Sequence, residues 1–224
     1  MILGIQAIWL AMTPKVFFGA VLVFAIAVYA LRASERWEGF RQVVTLKRLL
    51  IATIVFRIAY AALLTTLQYF SWAAGGLGAL FLKESLDASL PIPFVHSLPW
   101  IFGSRFGYFI FYSILHFWIN VVLSIFIAWL FYRFLILLKR HKERFFDVEE
   151  TELGFLLALV VGWPTVTVFV PLIFLFVVIA SLTRLIVFKE AYTTLGWPFI
   201  LAATATLLFG DFLLIATGLS VLSV

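Results

Sequence analysis

The sequence predicts an all-α, polytopic membrane protein with about six transmembrane segments, and three observations carry that expectation. Hydrophobic residues make up 65% of the 224-residue chain, and the mean hydropathy is +1.16, far above the roughly half-apolar composition of soluble domains. Charged residues amount to 12%, too few to cover a water-facing surface. The apolar runs are continuous over about 20 residues instead of alternating, and a chain in lipid must satisfy its backbone groups internally, so helices are expected and a barrel is not.

A first helix is expected over residues 15–31. The apolar residues before it precede Lys15 instead of following a basic segment, an order that does not suit a cleaved signal peptide. The loop "RASERWEGFRQVVTLKR" follows, with Arg32, Arg36, Arg41, Lys47 and Arg48. A second helix is expected over 49–72. Residues 75–105 are mixed: the apolar side chains of "GGLGALFLKESLDASL" alternate with Lys83, Glu84 and Asp87, which suggests a short helix lying in the interface. Pro91, Pro93 and Pro99 break any continuous span there.

The third helix, over 106–138, would reach about 50 Å against a hydrocarbon core of about 30 Å. It should tilt or protrude, with Arg133 snorkelling to the surface. After "KRHKERFFDVEETE", the apolar stretch 153–188 is too long for one helix. Gly162-Trp163-Pro164 is the expected break, since proline disfavours helix in the residue before it. A short helix therefore precedes it and a full-length one follows, with a last span over 196–222.

Charge sets the orientation. Loops 32–48 and 139–152 collect most of the Lys and Arg, whereas 75–105 holds only Lys83 and Arg105. The basic loops are therefore expected in the cytoplasm, 75–105 as an extracytoplasmic or interfacial insertion, and the N-terminus outside. A turn at Gly162–Pro164 returns Arg184 and Lys189 to the cytoplasmic side, which favours six segments in a single integral membrane domain, 1–224. The sequence pI of about 9.6 is thus topological, and no nucleic-acid partner is expected. The chain has no cysteine, and His96, His116 and His141 are scattered without metal-ligand spacing. No phosphate-binding loop or nucleophile elbow occurs, so no metal and no cofactor are expected, and the lipid bilayer is the partner the composition implies.

The order of features from 131 to 211 is informative. A helix ends in a basic loop, "FYRFLILLKRHKERFFDVEE"; a Leu/Ala-rich helix ends in Gly-Trp, "LGFLLALVVGWP"; a basic turn, "SLTRLIVFKE", leads to "TTLGWPFILAATATLLFGD". This succession resembles the membrane core of type IV prepilin peptidases, aspartic proteases that process pilin precursors. The resemblance implies a prepilin-peptidase-like helical core in a bacterial inner membrane, with two aspartates sharing a proton at the cytoplasmic edge. It also implies pilin-like single-span membrane proteins as partners.

The departures from the family pattern fall on the catalytic positions. The Gly-x-Gly pair before the family's aspartate is absent. Ungapped alignment from Gly162-Trp163 puts Glu150 at the aspartate, and three inserted residues put Asp147 there. The other acid falls near Ala30 in "VYALRASERWEGF", where Glu35 and Glu38 are the only carboxylates. The expectation is a catalytically degenerate protein that acts on or holds pilin-like membrane segments. If active, it would be an intramembrane-type aspartic endopeptidase in which Asp147 or Glu150 acts with Glu35 or Glu38.

The bland account of the acids is structural. Asp147, Glu149, Glu150 and Glu152 precede a helix expected to begin near residue 153, and acids at a helix start contribute about 0.3–1 kcal/mol each. Elsewhere, Arg57 lies about 13 Å beyond Arg48 along a helix and needs a partner, for which Asp211 is a candidate. Ser113, His116, Asn120 and Ser124 share one helical face, which suits interhelical hydrogen bonding or a polar path. A rival function is therefore a small transporter or channel component built on buried Arg57, His116, Asn120 and Asp211.

Overall fold

The computed structural model describes residues 2–31, 44–86, 97–141, 148–187, 189 and 194–222, and these are helical with no strand among them. In order they form α1 (Ile2–Ala30), α2 (Leu46–Ala74), α3 (Gly76–Phe81), α4 (Pro99–Phe102) and α5 (Gly107–Ser113). A π-helical turn, Ile114–Trp118, joins α5 to α6 (Ile119–His141); α7 (Val148–Val161), α8 (Val166–Val187) and α9 (Gly196–Ala216) follow, and a 3₁₀ turn, Leu219–Leu222, comes last. Five stretches among the described residues are long and apolar enough to cross a bilayer: Trp9–Ala30, Leu46–Ala74, Gly107–Arg140, Val166–Val187 and Gly196–Ala216. They are what an integral membrane protein requires. The expected sixth segment corresponds to α7, whose 14 residues reach only about 21 Å.

Packing groups the chain into two compact units, Met1–Val55 with Leu123–Ser223, and Phe56–Val122. The larger unit is organised around α7. Leu153, Leu156, Leu157, Ala158, Leu159 and Val160 are all at most 1% exposed, so this helix is apolar on every side because it is surrounded on every side. Lipid tails are as apolar as leucine, and the stabilisation of such a core comes from close packing instead of escape from water. Gly154 permits it: a Cβ there would stand 2.6 Å from Leu135 Cδ1 and 3.1 Å from Phe199 Cε2. Phe131, on α6, sets its ring edge-on to Phe169 and Phe199, both fully buried.

The ends of the elements follow from local chemistry. Thr45 caps α2, its Oγ1 accepting from the Arg48 N–H at 3.2 Å. Gly162, at φ 71°, adopts the left-handed conformation that stops α7. The Trp163 N–H just beyond is taken up by Ser124 Oγ at 2.8 Å, and the Trp163 indole N–H by the Leu222 carbonyl at 3.1 Å. The expected break is thus a real turn, tied to α6 on one side and to the last turn of the chain on the other.

The smaller unit is aromatic. Trp72 packs on Tyr108, Phe109, Tyr112 and Phe81, and the Trp118 indole donates to Thr65 Oγ1 at 3.1 Å. Leu86 N–H to Phe102 O and Tyr108 N–H to Glu84 O tie its short elements together. A short helix does fall within 75–105: α3, whose Leu77 and Leu80 are exposed.

Close packing at Gly154 makes a prediction. Gly154→Val should lower stability by about 1–3 kcal/mol through overpacking, read as a lower unfolding midpoint in detergent. Gly19→Ala, where a Cβ would meet nothing within 4 Å, should not. Equal midpoints for the two variants would refute the packing account.

Candidate functional site

The acids of "FFDVEETE" do not all precede the helix. It begins at Val148, five residues before the sequence suggested, so Glu149, Glu150 and Glu152 lie within its first turns. The reason is visible at Glu150, which is 1% exposed and is held inside the larger unit instead of capping a solvated end. Its Oε1 accepts a hydrogen bond from the Tyr29 hydroxyl at 3.0 Å and another from the Gly196 backbone N–H at 3.1 Å. One carboxylate oxygen therefore joins the last turn of α1 and the first turn of α9 to the start of α7. A buried acceptor left without such donors costs about 1–3 kcal/mol.

Each contributor is placed by a local feature. The Gly196 N–H is one of the donors that a helix N-terminus leaves unpaired, and its direction at Glu150 adds the favourable end of the α9 dipole. Glycine is required there, because a Cβ on residue 196 would run into the Tyr29 ring. The same ring is held edge-on by Trp197, centroid to centroid 6.0 Å. Glu152, two residues on, faces outward to Lys47, Nζ to Oε1 3.4 Å. The lysine is mostly exposed, at 76%, and such a pair contributes little.

Of the four residues the resemblance nominates, Glu150 alone is among the described residues; Asp147, Glu35 and Glu38 lie outside them. Ala30, the position matched to the second acid, directly follows Tyr29 in sequence, but it is exposed where Tyr29 is buried, so the two side chains leave the helix in different directions. Tyr29 was missed in the sequence, although a tyrosine near the end of an apolar helix signals a hydroxyl in need of a partner.

The residues of the polar-path hypothesis differ in burial. Asp211 is not buried: it is exposed on α9 and pairs with Lys15 of α1, Nζ to Oδ2 3.4 Å, with the two side chains 80% and 67% exposed. His116 is also exposed, and its Nδ1 lies 3.1 Å from the Tyr112 carbonyl, to which the Nδ1–H tautomer donates. Arg57 and Asn120 are half-buried. The expected stripe is interrupted by the π turn at Ile114–Trp118, where hydrogen bonds run to the fifth residue and the helical register shifts. Ser113 and Ser124 are buried, at 4% and 1% exposure, while His116 between them is not. Ser124 serves the interhelical role, at Trp163.

Compared with known protein families, with curated protein sequences and with solved structures, the chain shows no match.

The Tyr29–Glu150 contact can be measured by a double-mutant cycle. Tyr29→Phe should cost about 1–2 kcal/mol, more than the ~0.6 kcal/mol mean for hydrogen bonds between membrane helices, because the acceptor is a buried carboxyl. Combined with Glu150→Gln, the two losses should be non-additive by at least about 0.5 kcal/mol. Strict additivity in detergent unfolding would show that the hydrogen bond carries no energy.

Proposed function

We propose that this chain is a catalytically silent member of the prepilin-peptidase type, which holds pilin-like single-span helices in the membrane. The supporting observation is Glu150. It takes the position the resemblance gives to a catalytic acid, and its Oε1 is occupied by the Tyr29 hydroxyl and the Gly196 N–H. A general base must offer a lone pair to a water beside the scissile bond. A proton-sharing dyad needs a second carboxyl against the first. Glu150, at 1% exposure, has a phenol hydroxyl on its Oε1, which suits a lock better than a protease.

The place for a held helix is the apolar groove between α6 and α8. Its volume is about 130 Å³, and its walls include Phe131, Phe134, Leu138, Ile173, Phe174 and Val177. Side chains of a single-span helix would add to packing there without placing a polar group in lipid. In this reading α7 is the sixth, lipid-shielded segment. The Glu150 end faces the cytoplasm of a bacterial inner membrane, as the basic residues of 32–48 and 139–152 favour.

The test is reconstitution of the full chain with a pilin-type precursor in liposomes. The precursor should remain full-length and co-purify with the protein. Phe174→Arg, on the groove rim, should reduce the retained precursor about tenfold, since a charge facing a lipid-embedded partner is costly. Cleavage of the precursor that is lost in Glu150→Gln would instead establish an active peptidase with an altered carboxylate.

A further inference from the structure

At the end of the larger unit opposite Glu150, a cavity of about 510 Å³ opens between α1 and α9. Its origin is a mismatch in length. α7 has 14 residues whereas α9 has 21 and α1 has 29, so the two outer helices continue past Val161 with no third helix between them. Val160 and Val161 form the floor, and Phe18, Leu22, Val23 and Leu207 the apolar walls. Gly19 on the wall leaves open space where a side chain would otherwise stand.

Lys15 and Asp211 line the same cavity. Lys15 lies six residues inside the start of the span Trp9–Ala30, and Asp211 five residues before the end of α9 at Ala216. Fifteen residues separate Gly196 from Asp211, so the pair lies about 22 Å from the Glu150 level, close to the headgroups of the far leaflet. Their separation of 3.4 Å is long for a charge-assisted hydrogen bond, and a lysine ammonium has three donors. Both side chains are largely exposed, 67% and 80%, so a ligand bearing one charge of each sign can reach them and exchange partners with the pair.

The remaining polar wall is made of acceptors. The hydroxyl protons of Thr165, Thr204 and Thr206 are directed to the backbone carbonyls of Val161, Ile200 and Ala202 at 2.9, 2.8 and 2.7 Å. Their oxygen lone pairs suit an N–H or O–H donor and disfavour an anion inside the cavity. An anionic group is accepted at Lys15, on the cavity's edge.

From this combination we infer that the cavity binds a zwitterionic phospholipid with a primary ammonium, of the phosphatidylethanolamine type. Its phosphate pairs with Lys15, its ammonium with Asp211, and one acyl chain lies between α1 and α9. The volume falls in the roughly 300–1,000 Å³ range of ligand sites. An anionic glycerol lipid would pair its phosphate with Lys15 as well, but it brings no cation for Asp211. A choline lipid lacks the N–H donors that Asp211 and the threonine oxygens accept.

Native mass spectrometry of the full chain, with the ethanolamine, choline and glycerol phospholipids of one acyl composition in turn, tests this. Ethanolamine lipid should be retained about tenfold more tightly than the glycerol lipid, with choline lipid between. Asp211→Asn should remove the preference for ethanolamine over glycerol, and Lys15→Gln should weaken all three. Gly19→Leu, which fills the cavity without touching either charge, should reduce all three by a similar factor. Glycerophosphoethanolamine, the headgroup without acyl chains, should not displace the lipid. Equal retention of the three lipids, or retention unchanged in Gly19→Leu and Lys15→Gln at unaltered melting temperature, would overturn the assignment. Precursor binding at the α6–α8 groove involves other residues, so either result can fail without the other.

Discussion

A carboxylate at the start of a helix usually faces water, where it needs no partner. Glu150 is 1% exposed, and burial at that level is tolerable only if donors are supplied from elsewhere in the fold. They come from Tyr29 on α1 and Gly196 on α9, two residues far from Glu150 in sequence and from each other. Three helices must therefore meet at one point, and their registers are fixed there. From that point α1 and α9 run antiparallel, which is why Tyr29 stands opposite Gly196 at one end and Lys15 opposite Asp211 at the other. In a bilayer, where apolar surfaces alone do not choose among packings, a single satisfied polar contact of this kind selects one arrangement.

The second constraint is the shortness of α7. It is long enough to fill the core beside α6, α8 and α9, with Gly154 accommodating Leu135 and Phe199, and too short to reach the far surface. Gly162 ends it by turning left-handed, and the freed N–H of Trp163 goes to Ser124. The space left above it is the cavity beside Lys15 and Asp211. One helix, by beginning with a buried acid and stopping early, thus produces a closed polar contact at one end of the unit and an open polar site at the other.

The helical architecture was legible in the sequence because it rests on long apolar runs and on prolines and glycines, which act locally. The turn at Gly162-Trp163-Pro164 and the two helices around it belong to that class. The role of Glu150 was not legible. Sequence places four acids together before an apolar run, and nothing in their order says which one turns inward, because that depends on Tyr29 and Gly196 arriving from distant segments. The stripe of Ser113, His116, Asn120 and Ser124 failed for a different reason. It assumed uniform helical spacing, and a π turn at Ile114–Trp118 carries no sequence signal comparable to a proline. Asp211 was matched with Arg57 because charges at depth need partners; the antiparallel register of α1 and α9 gives it Lys15 instead.

A phenol against a carboxyl, as at Tyr29 and Glu150, differs physically from two carboxyls held together. Two carboxyls held together repel when ionised, and a protease uses that repulsion to split their proton affinities and keep one as a base. A carboxyl and a phenol attract: the hydroxyl donates, the carboxylate accepts, and neither needs water to complete the contact. The Tyr29 hydroxyl on Glu150 Oε1, at 3.0 Å, is a contact of this second kind. The added methylene of Glu150, relative to aspartate, extends the carboxylate further from α7. The contact stabilises the meeting of α1, α7 and α9 at one buried point.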